Sequence, residues 1–76
     1  MKVKTFAVLK EHLGEEFEIE TVANIEQLKQ VLATKNPKVD SLLSSCRFAV
    51  GNTFANAETV FTASDILYVL PPSSGG

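Results

Sequence analysis

His12 and Cys46 are the chain's one histidine and one cysteine, so the side chains best suited to proton transfer and nucleophilic attack near neutral pH each occur once. A protein nucleophile works when a base stands beside it and a third group orients that base. Neither residue has such a partner within sequence reach. His12, in the first loop, is expected to be solvated, and Cys46, just ahead of an apolar run, to serve as a small core residue. Carboxylates are plentiful in Glu15, Glu16, Glu18 and Glu20, but their alternation with Phe17 and Ile19 marks the solvated side of a strand, acidic enough to discourage edge pairing. There is no tryptophan, no Gly-rich phosphate loop and no metal-ligand spacing. This inventory argues against a self-sufficient enzyme and for a protein that works with a partner. What remains is the ending, Leu70-Pro71-Pro72-Ser73-Ser74-Gly75-Gly76. Two prolines stop a strand and project the chain outward, and the serines and glycines beyond them form a tail that cannot pack and has no bulk at its tip.

The elements that hold this tail are short. Lys2 to Leu9 alternates, with Val3, Thr5, Ala7 and Leu9 on one side and Lys2, Lys4, Phe6 and Val8 on the other, which predicts a half-buried strand. Phe6 is then an aromatic on the side that carries two lysines, and it is expected to be exposed. Gly14 turns the chain into a second strand through Phe17 and Ile19, so the two should form a hairpin. A helix follows from Asn24 as N-cap, with Gln27 completing a capping box and Ile25, Leu28, Val31 and Leu32 as the apolar stripe. Lys35 lies in its last turn, and Asn36-Pro37 stops it. Val39, Leu42 and Leu43 suit a short helical turn. Arg47 to Val50, the region of Phe54, Val60 and Phe61, and Ile66 to Leu70 supply two or three further strands, with turns at Gly51-Asn52 and Ala63-Ser64-Asp65, where Asp65 shapes the turn. The result is an α+β domain, a mixed sheet of four to five strands with one main helix across a face.

Size and charge narrow the function further. Seventy-six residues allow one domain, and the 45% hydrophobic and 21% charged composition is that of a globular protein. A net charge of −2 and a pI near 5.2 argue against nucleic-acid binding, which needs a basic surface. A single cysteine cannot form an internal disulfide, and no run approaches the roughly 20 apolar residues of a membrane span. A cytoplasmic protein, bound to no membrane, is expected.

Along its whole length the chain resembles the small sulfur-carrying subunit of molybdopterin synthase (the MoaD family), whose fold is the ubiquitin-like β-grasp. The opening Thr5-Phe6-Ala7-Val8-Leu9-Lys10-Glu11 looks like that family's start, with Gly14 at a fitting distance. Phe48-Ala49-Val50 matches a family strand, Ser64-Asp65 a family turn, and Leu70 to Gly76 the family ending. Lys10, Gly51, Ser64 and Ser73 depart from the usual residues, and none touches the diglycine. The resemblance implies a β-grasp domain over residues 1–72 and a flexible tail over 73–76.

It also implies a function. An activating enzyme would use ATP to adenylate the Gly76 carboxylate, and a sulfur donor protein would displace AMP to leave a thiocarboxylate. That sulfur would be given to cyclic pyranopterin monophosphate inside the large subunit of molybdopterin synthase. Gly76 is then the reacting residue, while Gly75, Ser74 and Ser73 thread the tail into a narrow channel. Phe6, Phe54 and Leu70 fall where the family has docking contacts. ATP, metal and catalytic residues would belong to the partners, with no cofactor or metal held by this chain. Three other readings stay open: a carrier for the thiazole of thiamine or for tRNA thiolation, a ubiquitin-like modifier joining Gly76 to lysines, and an interaction domain with an inert tail.

Overall fold

A computed structural model describes residues 1–72. Its strands are β1 (Lys2–Thr5), β2 (Glu16–Glu18), β3 (Arg47–Val50), β4 (Thr53–Phe54) and β5 (Ile66–Leu70). Its helices are α1 (Val8–Leu13), α2 (Ile25–Lys35) and α3 (Asp40–Leu43), the last entered through a 3-10 turn, Pro37–Val39. The five strands form one mixed sheet in the order β2-β1-β5-β3-β4, in which β1 and β5 run parallel and the other neighbours antiparallel. This is the expected α+β, β-grasp arrangement.

Alternation divides the sheet into two faces. Val3 and Thr5, Phe48, Leu67 and Val69 point inward and are buried, and Leu28 and Leu32 of α2 complete the core with Leu9, Leu13, Val39, Leu43 and Phe61. The α2 stripe works as the sequence predicts, with Leu28 and Leu32 fully buried and Ile25 and Val31 packed beside them. Asn24 caps the helix by accepting the Gln27 N–H at 2.9 Å. Gln27 reaches back one residue further than a standard capping box, its Oε1 accepting the Ala23 N–H at 2.8 Å. Asn36 ends α2 and caps the 3-10 turn by accepting the Lys38 N–H at 3.0 Å. Asp65 holds its turn by accepting the Thr62 N–H at 2.8 Å.

The first strand is the main correction. It stops at Thr5 rather than continuing to Leu9, and the link to β2 contains a helix rather than a short turn. Ala7 is the break: its φ of 53° lies outside the extended region and in one that L-residues seldom adopt. From there Leu9 and Leu13, four residues apart, bury one side of α1. Leu9 is thus inside as expected, but from a helix, and Ala7 is exposed rather than inside. The antiparallel β1–β2 pairing itself holds, and Thr5 Oγ1, buried in the turn region, donates to the Gly14 carbonyl at 2.6 Å. At the far end of the sheet the two-residue Gly51-Asn52 turn joins β3 to β4, and Gly51 takes a φ of 59° as the first position of such hairpin turns prefers.

Candidate functional site

The outer sheet face is built row by row. In one row the register sets Glu16, Lys4, Tyr68, Ala49 and Phe54 side by side across all five strands. A second row carries Glu18, Lys2 and Ile66, and a third pairs Leu70 with Arg47. The face therefore has two halves. On β2 and β1, Glu16 bridges Lys2 at 3.1 Å and Lys4 at 3.7 Å, and the Lys2 hydrogen bond, helped by Lys4, holds the Glu16 carboxyl below its usual range. On β5, β3 and β4 the face is apolar apart from Arg47, and it ends where the chain runs into Pro71-Pro72.

Phe6 belongs to this apolar half although it is not on the strand. It follows Thr5 directly, is 41% exposed, and stacks on Tyr68 with ring centroids 6.4 Å apart and planes 17° from parallel. Phe54 is 59% exposed and Leu70 half-buried, so neither is a core residue. With Ala49, Gly51, Asn52 and Tyr68 they line a shallow depression of about 270 Å³. The structure thus brings Phe6, Phe54 and Leu70 onto one surface, with Tyr68 as the bridge between them. Sequence reasoning passed over Tyr68. The signal was present, since in Ile66 to Leu70 the inward Leu67 and Val69 leave Ile66, Tyr68 and Leu70 on the outside. Charged groups frame the patch: Lys4 Nζ stands 5.9 Å from the Tyr68 ring centroid, and the Arg47 guanidinium 4.9 Å from that of Phe54. The expected reacting residue Gly76 and the threading residues Gly75, Ser74 and Ser73 lie outside the described residues.

Phe6→Ala tests the patch. Removing a ring that is already partly in water should change folding stability by less than about 1 kcal/mol, as at ordinary surface sites. Partner binding should weaken by about 1–2 kcal/mol or more, because exposed aromatics are the common anchors of interfaces. Denaturation and a binding titration on the same variant check both expectations.

Cys46 and His12 take no part in this surface. Burial pushes the Cys46 thiol up from its usual value against a smaller opposing effect of Lys29, and its Sγ donates to the Leu42 carbonyl at 3.2 Å. A thiol held protonated is a poor nucleophile. Cys46→Ser keeps a donor for that carbonyl, so the variant should fold, and the terminal-carbonyl chemistry that the family resemblance implies should proceed in it at the wild-type rate in a transfer assay; loss of transfer would point to the thiol as the carrying atom. His12 is exposed, and only its backbone carbonyl is used, accepting from Asn36 Nδ2 at 3.0 Å. Among the described residues no helix is long and apolar enough to cross a membrane.

Comparison with known proteins places this architecture. SAMP1 from Haloferax volcanii superposes with a TM-score of 0.76 at 22% identity, over 99% of this chain and 97% of that one. A second crystal structure, small archaeal modifier protein 1 of H. volcanii, gives 0.75 at 19% identity over 95% of each chain. A chain of the complex of subunits 1 and 2 of molybdopterin-converting factor from Helicobacter pylori 26695 gives 0.68 at 25% identity, over 99% of this chain and 96% of that one. No curated protein matches in sequence. The ThiS family model matches residues 3–76, nearly the whole chain. The chain therefore belongs to the ThiS family, and its fold is the β-grasp of these structures.

Proposed function

We propose that this protein carries sulfur in the biosynthesis of the molybdenum cofactor, on the carboxyl group of Gly76. The observation that carries the reading is the continuity of β5 with the tail. Tyr68 and Leu70 form the middle of an exposed apolar patch, and the next residues, Pro71 and Pro72, lead to the diglycine. A partner that grips the patch receives the tail in a fixed place, and the two prolines reduce the chain entropy lost when it is inserted. The likeness to the H. pylori complex supports a large second subunit as that partner.

A carboxylate resists nucleophiles because it is anionic and its oxygen leaves poorly. Transfer of AMP from ATP to the Gly76 carboxylate, with release of pyrophosphate, makes the oxygen part of a good leaving group. A donor's sulfur at the sulfide level then attacks the carbonyl carbon, the C–S bond forms, and AMP departs with the electron pair of the C–O bond. The thiocarboxylate is a soft, anionic nucleophile suited to attack on the pterin precursor. Glycine at both final positions lets the backbone pass a narrow channel and take angles closed to other residues. This chain supplies the carbonyl and the docking face; the activating enzyme supplies the nucleotide site.

Mass spectrometry of the protein isolated from its own cells tests the reading. The expected species has one oxygen replaced by sulfur at Gly76, and adding the large subunit and cyclic pyranopterin monophosphate should return it to the carboxylate. A thiocarboxylate that persists under those conditions but discharges to a thiazole precursor or to tRNA would assign another acceptor. High-mass covalent adducts ending in Gly76 would make the chain a modifier.

A further inference from the structure

We propose that the β4 edge, with the groove between it and α2, is a second docking site that takes an extended acidic segment of a partner protein. The groove has a volume of about 720 Å³ and lies around the corner of the sheet from the tail face. Ile25, Phe48, Ala55 and Cys46 give it an apolar lining, and Lys29 and Arg47 stand at its margin. Two features identify the occupant.

The first is charge. The chain as a whole carries a net charge of −2, yet this groove gathers Lys29 and Arg47 against a single carboxylate, Glu26. Both cations are held over aromatic rings, Lys29 Nζ 5.8 Å from the Phe48 centroid and the Arg47 guanidinium 4.9 Å from that of Phe54. Among the described residues neither is ion-paired, and nor are Lys35 and Lys38, whereas Lys2, Lys4 and Lys10 each have a glutamate; only Lys29 and Arg47 of the unpaired cations line this groove. A cation kept over a ring retains its charge for a ligand and loses little freedom on meeting one.

The second is the backbone. In an antiparallel pair successive residues point their N–H and C=O groups alternately toward the partner strand and away from it. Ala55 donates to the Phe48 carbonyl at 2.8 Å, and Ala49 is set opposite Phe54. The Phe54 N–H and C=O therefore face outward, along the open edge of the sheet and beside the groove. An extended peptide pairs with those groups, and its alternate side chains fall on opposite sides of the sheet. Apolar side chains on the α2 side enter the groove near Ile25 and Phe48, acidic ones on the outer side meet Arg47, and a carboxylate at the end of the segment reaches Lys29 at the groove margin. A small free anion would satisfy the cations and leave the ladder groups unused.

The groove shares Arg47 and Phe54 with the tail patch, but Lys29 lines the groove alone and Phe6 belongs to the patch alone, so variants at those two residues separate the sites. The probe is a blocked eight-residue peptide alternating glutamate and valine, titrated into the isotopically labelled full-length chain. Its lysine–valine counterpart and free glutamate serve as comparators. The acidic peptide alone should shift the Phe54 and Lys29 amides, and added salt should weaken it. Lys29→Glu should lower its affinity by roughly tenfold or more, as expected for a like charge introduced at an interface. Phe6→Ala should leave peptide binding unchanged, and Lys29→Glu should leave binding to the large subunit unchanged. Lys29→Gln, with an overlaid unfolding curve, should show an intermediate loss in a folded protein. Equal binding of both peptides would overturn the proposal, as would equal shifts with free glutamate. Concentration-dependent shifts of the same amides without peptide would assign the edge to a second copy of the chain.

Discussion

One alanine added after Gly76 is expected to abolish sulfur transfer while leaving the unfolding curve superimposable on that of the wild type. The reacting carbonyl would then sit one residue too far along and carry a methyl group, which a partner channel fitted to glycine, as proposed, would exclude. A mutation in a catalytic channel of this kind acts through position, and displacement of a reacting atom by about 1 Å can cost roughly 10²-fold in rate. A whole residue exceeds that several times over. The fold should not respond, because the buried core of the described residues is drawn from Met1 to Val69. Deleting Gly76 should have the same two effects. Mass spectrometry after incubation with activating enzyme, ATP and sulfur donor gives the readout, and full thiocarboxylate formation on the extended chain would remove Gly76 as the required reacting residue.

The opposite pattern is expected of Leu28→Ala. Leu28 is fully buried where α2 crosses the sheet, and such truncations cost about 2–5 kcal/mol, from lost transfer energy and the cavity left behind. A domain of this length has little to spare, since total stabilities run to about 0.05–0.15 kcal/mol per residue. Each kcal/mol is worth about 4–8 °C in Tm at this size, so the midpoint should fall by at least about 8 °C. The fraction still folded should dock its partner normally, because Leu28 faces the core and the patch lies on the other side of the sheet. Thermal unfolding followed by circular dichroism, with binding measured well below the midpoint, checks both halves. A small shift would mean that α2 is not the element closing this core.

The sequence was most legible where local chemistry and burial agree. Asn24, Gln27 and the Leu28–Leu32 stripe define α2 to the residue, because a cap and an amphipathic period are both properties of neighbouring residues. The β-grasp was legible through the ending and the Phe6-Ala7 start, as a resemblance. What failed was the stretch after Thr5. Val3, Thr5, Ala7 and Leu9 satisfy a strand's period of two, while Leu9 and Leu13 satisfy a helix's period of four, and nothing local chooses between them. The choice depends on the positive φ of Ala7, a conformation more typical of glycine that a sequence with alanine there does not announce. Phe6 was rightly placed in the open for a reason only half correct: it faces out beside Tyr68, past the end of the strand assigned to it. Tyr68 went unremarked because its importance comes from lateral register. Its neighbours Lys4 and Ala49 are remote in sequence and adjacent only once β5 has entered between β1 and β3.

That insertion bears on how the protein is made. β5 is the middle strand of the sheet, yet it is translated after the other four described strands, so β1 and β3 have no common neighbour while the nascent chain is still short of Ile66. A ribosome that stalls short of Ile66, or a protease that trims the product back past it, leaves a polypeptide without a sheet centre and without Tyr68 or Leu70 for a partner to recognise. Truncated copies would thus fail on both counts, as unfolded chains open to degradation and as molecules with no docking face. An activating enzyme that accepts only the folded patch would rarely meet a chain lacking the residues that lead to its diglycine. Strand order in this way makes the docking face report that the chain is present as far as Leu70, with no dedicated sensor.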